Sequence, residues 1–212
     1  MRMNSVERIL KAAVFGFAVL SFASMPYASQ AAPSINKKAP EFTGTDSNGK
    51  THRLGDYIGS IVVLEWFNHE CPFVEKHYAT KNMQKLQKHA RKNGIVWLSV
   101  VSSAPGEQGF AKPAEARDIS KKVGANHSAK ILDSSGVIGR KYGAQTTPHM
   151  YVIDKKGDLV YMGGIDNKPS TQHEDVKTAK NHVKAALDDV LSGKTVRNPV
   201  TEPYGCSVKY AN

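Results

Sequence analysis

The chain has 212 residues, a net charge of +10 and two cysteines. That length makes one domain with a full core. Two cysteines form one pair or stand as separate thiols, which excludes a small scaffold built on disulfides, and no nucleic-acid motif accompanies the positive charge. Residues 1–31 read as a secretory signal peptide. Arg2, Arg8 and Lys11 lead, Ala12 to Ser24 is an apolar stretch of about 13 residues, and Ser29-Gln30-Ala31 supplies small residues for cleavage after Ala31. The apolar stretch is short for a bilayer span. An uncleaved anchor is the alternative reading, and the absence of a cysteine after the stretch excludes a bacterial lipoprotein. Export predicts a periplasmic or secreted, oxidising location. Much of the remaining charge falls on Lys76, Lys81, Lys85, Lys88, Arg91 and Lys92. This reads as a solvated helix face, with attraction to anionic lipid or an acidic protein as the alternative.

After a short leader, Phe42 to Leu54 predicts a hairpin around the turn Ser47-Asn48-Gly49. Ser60 to Phe67 is an apolar run of strand length, broken only by Glu65. Cys71-Pro72 follows, and then one amphipathic helix with Ala79, Met83, Leu86 and Ala90 on a stripe, ending at Asn93-Gly94. Ile95 to Val101 is a second buried strand, Ser102 to Pro113 a loop, Ala114 to Val123 a short helix and Ala129 to Leu132 a further strand. Val137 to Tyr142 is a helical turn closed by Gly143. Met150 to Ile153 and Leu159 to Met162 are strands joined by Asp154-Lys155-Lys156-Gly157. Val176, Ala179, Val183, Leu187 and Val190 mark the last helix, which stops at Gly193. This order predicts an α/β fold: a central mixed sheet flanked by helices, with an N-terminal hairpin extension. The domain spans 32–193, and 194–212 reads as a tail of little periodicity.

Cys71 sits between a buried strand and a helix start. Backbone N–H groups and the helix dipole favour an anion there, and such cysteines tend to be reactive thiolates. Pro72 suits the first helical turn, where its missing N–H is not needed. The competing reading, a buried small hydrophobe, does not explain that position. Thr147-Pro148, just before a strand, is the second signal. Proline can take the cis form, and beside a reactive cysteine it leaves backbone groups open to an extended substrate.

Three pieces resemble the thioredoxin superfamily: Val62-Val63-Leu64-Glu65-Trp66-Phe67 leading to Cys71, Thr147-Pro148 before the next-to-last strand, and the closing strand-hairpin-helix. Ala39-Pro40-Glu41-Phe42, Glu70-Cys71-Pro72-Phe73-Val74, Thr146-Thr147-Pro148-His149 and Pro203-Tyr204-Gly205-Cys206-Ser207 are similar to redoxin-domain proteins labelled alkyl hydroperoxide reductase or thiol-specific antioxidant. The resemblance, over about 36 to 193, implies a thioredoxin-like fold and a secreted thiol–disulfide oxidoreductase. Cys71 is then the nucleophile and Cys206 the resolving cysteine. A static Cys71–Cys206 bridge, or a Cys206 that is free or bonded to another subunit, are the alternatives. The tail from Gly193 could reach about 43 Å when extended. Glu65 stands where thioredoxins carry a buried acid, so burial should raise its pKa and fit it to manage protons. A Glu65 that reaches solvent at a strand end is the alternative.

Thr147, Pro148, His149 and Trp66 are expected along the substrate path, with Trp66 and Phe67 also serving as core and collar. Partners are a protein or small-molecule thiol or disulfide and a redox partner protein, with membrane contact only through the signal peptide. No cofactor and no metal are implied. There are departures from both families. Val74 replaces the second local cysteine of thioredoxins, and Leu64 and Asn68 replace the peroxiredoxin proline and threonine or serine. The later peroxiredoxin arginine is absent. A peroxiredoxin-like thiol peroxidase remains one alternative. A copper-handling protein is another, if His69, His77 and His149 gather around Cys71.

Overall fold

The computed structural model describes residues 33–211, so the signal-peptide reading of 1–31 lies outside them. Strands β1 (Thr43–Thr45) and β2 (Thr51–Arg53) form the expected antiparallel hairpin. Asp46 closes its turn by accepting from the N–H groups of Asn48 and Lys50 at 2.8 and 2.9 Å. Then follow β3 (Val62–Trp66), α1 (Pro72–Ala79), α2 (Asn82–Lys92), β4 (Val96–Val101), α3 (Pro113–Lys122), β5 (Ala129–Leu132) and α4 (Val137–Tyr142). The chain continues through β6 (Thr146–Thr147), β7 (His149–Ile153), β8 (Leu159–Gly163), α5 (His182–Leu191) and β9 (Cys206–Ser207).

The main sheet has the order β5-β4-β3-β7-β8. Strands β3, β4 and β5 run parallel, while β7 and β8 are antiparallel additions. Every residue of β3 is buried, because helices cover one face and α4 with the hairpin covers the other. The two-residue alternation of a strand divides the core. Val63, Phe67, Trp97 and Met150 pack on α1, α2 and α5. Leu64, Trp66, Val100 and Tyr151 pack on Phe42, Ile138 and Tyr142. This mixed sheet between two helical layers is the thioredoxin-like arrangement expected from the sequence.

The long helix after Cys71 is in fact two. Thr80 turns its hydroxyl onto the Lys76 carbonyl at 2.7 Å, a bond that competes with continued helix. Lys81 then takes a left-handed φ of 62°. The bend lets Tyr78 and Met83 both face the sheet and leaves Ala79, expected on the apolar stripe, exposed. The basic run is also not uniform. Lys81, Lys85, Lys88, Arg91 and Lys92 are exposed, but Lys76 is buried and donates to the Lys168 carbonyl at 2.9 Å. The last helix starts later than the pattern suggested. Asn181 caps it by accepting from Lys184 N–H at 2.8 Å, so Val176 and Ala179 precede it.

The largest difference lies in the tail, whose described residues lie against the domain as far as Ala211. Pro199 and Thr201 bond Met162 on the outer edge of β8, covering an edge that would otherwise be open to pairing. Strand β9 then pairs antiparallel with β6, Thr147 opposite Cys206. Beyond it, Val208 N–H donates to Gln145 O at 2.9 Å and Lys209 O accepts from Ala104 N–H at 2.8 Å. Tyr210 donates to Ala144 O at 2.8 Å. Little periodicity shows in this segment because its contacts are backbone pairs and single side-chain anchors, not an apolar stripe.

Candidate active site

Cys71 is the N-cap of α1, with φ −85° and ψ 120°, and Pro72 occupies the first turn. Its N–H bonds Asn68 O at 3.2 Å. Asn68 Oδ1 accepts from Glu70 N–H at 2.9 Å, and Glu70 accepts from Gly109 N–H, so the loop after β4 is fastened to the turn that carries the sulfur. Facing it is the cis peptide Thr147–Pro148. Cys71 Sγ donates to Thr147 O at 3.1 Å and is fully buried.

Strand β9 delivers Cys206 to this point. Both cysteines are free thiols, and Cys206 stands within electrostatic reach of Cys71. Burial first, then the neighbouring Cys71, push the Cys206 thiol up to about 12. Cys206 therefore keeps its proton at neutral pH while it stands beside Cys71. Gly205, at φ 135°, lies flush on Thr147, and a Cβ there would collide with the Thr147 carbonyl oxygen. Tyr204 donates to Asp166 Oδ1 at 2.5 Å. That directs His77 to donate from Nε2 to the Tyr204 hydroxyl at 3.1 Å, while its Nδ1 accepts from Asn82 at 2.9 Å. Phe73 meets the Tyr204 ring edge-on, with centroids 5.9 Å apart. Tyr204, Gly205 and Asp166 were not singled out individually from the sequence. A glycine directly before the only tail cysteine was the available signal.

Glu65 is fully buried. Its carboxylate accepts from Tyr78 at 2.8 Å, Gln87 at 3.1 Å, Trp97 at 2.7 Å and Ser99 at 2.9 Å. Burial raises its pKa against those bonds and the nearby Lys130 charge. Lys130 shares the row through Ser99. Its Nζ is buried with no hydrogen-bond partner, 3.8 Å over the Phe67 ring, and burial lowers its pKa to about 8 against the pull of Glu65. The Glu65 bonds go to these four donors and not to either sulfur.

The other expected site residues fall in different places. Trp66 is wholly buried, its indole N–H on Ser102 at 3.1 Å, so it packs the core. His149 pairs with Trp66 in the β3–β7 register. It is buried against Tyr151, ring centroids 4.6 Å apart, on the face of the sheet away from Phe67. The three histidines do not gather: His77 serves the tail, His69 lies beside Tyr78 and Lys122, and His149 faces the other layer. Among the described residues no group of three His, Cys, Asp or Glu side chains could hold a metal ion. Thr147 and Pro148 do stand beside Cys71, but the tail covers Thr147.

Burial holds His77, His127 and His149 each at about 4, below the usual 6.5. As pH falls, the unfolded chain binds protons first, so stability present above pH 6.5 is lost toward pH 4. The urea midpoint should fall steadily across that window by the equivalent of a few kcal/mol. A midpoint flat down to pH 5 would contradict the buried neutral histidines.

The family model of AhpC/TSA matches residues 35–162, which include Cys71 and the cis-proline. A thiol-disulfide oxidoreductase ResA of Geobacillus thermodenitrificans is 25% identical over 173 residues, covering 81% of this chain and 92% of that protein. Among solved structures, a hypothetical protein of Sinorhizobium meliloti 1021 superposes with a TM-score of 0.71 at 21% identity, covering 85% of this chain and 97% of the other. A putative thiol:disulfide interchange protein DsbE of Chlorobium tepidum gives a TM-score of 0.50 at 23% identity, over 62% of this chain and 85% of that one. These two show the shared fold.

Proposed function

The chain belongs to the AhpC/TSA family, and from that premise we propose that it is an exported thiol–disulfide oxidoreductase in which Cys71 attacks and Cys206 resolves. The observation that carries this reading is the delivery of Cys206 onto Cys71 by a paired strand, with both thiols free. The relatedness to a thiol-disulfide oxidoreductase over four-fifths of the chain supports the same chemistry. The Cys71 thiolate attacks one sulfur of a substrate disulfide, and a Cys71–substrate disulfide forms as the other substrate thiolate leaves and takes a proton. Cys206 then loses its proton and attacks Cys71 Sγ. The Cys71–Cys206 bond forms, the second substrate thiol departs, and the substrate has gained two electrons. A redox partner protein reduces the pair again, and the cycle can run in reverse. Glu65 is the proton carrier in this reading, acting through a relay because it does not touch the sulfurs. In this reading a signal peptide over residues 1–31 directs the chain to the periplasm or outside the cell.

A thiol peroxidase would use the same Cys71 with a hydroperoxide. Leu64 is sealed in the core, and Asn68 spends its side chain on Glu70 and Gln108. Neither is free to orient a peroxide. Mass mapping of the cysteines tests the proposed reading: one intrachain Cys71–Cys206 bond after a disulfide oxidant, none after a mild reductant. A bond that survives mild reduction, or one between two chains, would remove Cys206 as resolver.

A further inference from the structure

Strand β9 does more than carry a sulfur, because it fills the groove in which a substrate strand would lie. Its backbone pairs with Thr146 and Thr147, its cysteine meets Cys71, and Cys71 is left with no exposed surface. Around that cysteine the groove has definite demands. The residue just before it must lack a Cβ, because Gly205 rests on the Thr147 carbonyl. The residue before that sits in a slot between Phe73, His77 and Asp166, which take an aromatic ring and its hydroxyl.

Resting on the oxidoreductase reading, we propose that the tail is an internal copy of the substrate, and that the substrate class is an extended polypeptide whose cysteine follows a glycine preceded by a tyrosine-like residue. Such a segment enters by exchanging with β9. Only molecules with β9 lifted can bind it, so docking of the tail lowers the apparent affinity by the undocked fraction. In the first step Cys71–S⁻ attacks the peptide sulfur, the Cys71–peptide disulfide forms, and the former partner sulfur leaves as a thiolate.

The test uses the full chain carrying Cys206→Ser, which removes internal resolution. The probe is a synthetic peptide copying residues 203–209 with its cysteine as a 2-pyridyl disulfide, so each attack releases absorbing 2-thiopyridone. A second peptide has alanine in place of the glycine, and 2-pyridyl cysteamine disulfide is the small control. Adding Val208→Pro removes the N–H that bonds Gln145 O and loosens β9 from its far end. Gly205→Ala, which forces the collision with Thr147, is the second variant should the first fail to fold.

Loosening the tail should speed reaction with the glycine peptide about tenfold, and that peptide should outpace the alanine peptide by a similar factor. The small control, which needs Cys71 uncovered but makes no use of the groove, should be accelerated as well and sets the effect of exposure alone. Equal rates for the two peptides in the loosened variant would make the tail a plain cover and overturn the proposal. Failure of Cys71 to react with any of the three probes in any variant would overturn the oxidoreductase reading itself, and this proposal with it.

Discussion

Replacing Cys206 with serine should turn a catalyst into a trap, on the proposed division of roles. The first exchange, at Cys71, should go ahead and leave the substrate bound to Cys71 as a mixed disulfide. The strand pairing that sets Cys206 opposite Thr147 makes its attack intramolecular and oriented. Against millimolar external thiol, losing that attack should slow resolution by roughly a thousandfold. Turnover with a protein disulfide falls accordingly, and a covalent complex at the summed mass accumulates on a non-reducing gel. Cys71→Ser should behave differently, with no complex and no exchange, because the nucleophile itself is gone. The contrast separates the two cysteines by role. A Cys206→Ser protein that turns over at the parent rate would place the resolving thiol elsewhere.

Glu65→Ala should cost about 3–5 kcal/mol of folding stability, because each buried donor left without its acceptor costs about 1–3 kcal/mol. For a domain of this size that is a fall in Tm on the order of 10 °C. The size follows from what the change leaves behind. Tyr78, Gln87, Trp97 and Ser99 lose the acceptor they share, and Lys130, already without a hydrogen-bond partner, loses the counter-charge that pulls on it. Combining Glu65→Leu with Lys130→Met should recover the part of the loss that comes from stranding the Lys130 charge, while the four donors stay without an acceptor. A coupling of about 1–3 kcal/mol in that double-mutant cycle, read from urea unfolding, is the expected result. Glu65→Gln keeps the shape and one acceptor. If Glu65 also relays protons, that variant should flatten the pH profile of the exchange rate while folding stays largely intact. An unchanged profile would confine Glu65 to structure.

The main sheet was legible from the sequence because its strands announce themselves locally. Val62 to Trp66 and Val96 to Val101 are apolar runs, and Asp154 to Gly157 is a turn that bonds its own backbone. Cys71 and Thr147-Pro148 were legible for the same reason: each is a junction whose residue types carry the meaning. The helix break at Lys81 was not, because it depends on a threonine back-bond and a left-handed residue that periodicity does not register. Nor was the fate of Trp66 and His149. A strand's alternation tells which residues share a face, but not which face meets the sulfur. The tail was least legible of all. Gly205, Tyr204 and Asp166 matter only once β9 is laid against β6, a pairing across nearly sixty residues that no local pattern encodes.

Strand β9 sets Cys206 beside Cys71, and the proposed cycle requires the disulfide that the two would form to be readily broken again. The reduction potential of the intrachain pair tests that directly, by equilibrating the full chain in graded thiol–disulfide buffers and counting alkylated cysteines by mass. A potential above about −300 mV, within reach of cellular redox partners, is the expected result. A potential well below about −300 mV would mark a permanent staple that pins the tail, and would contradict the account of Cys206 as the residue that completes each turnover.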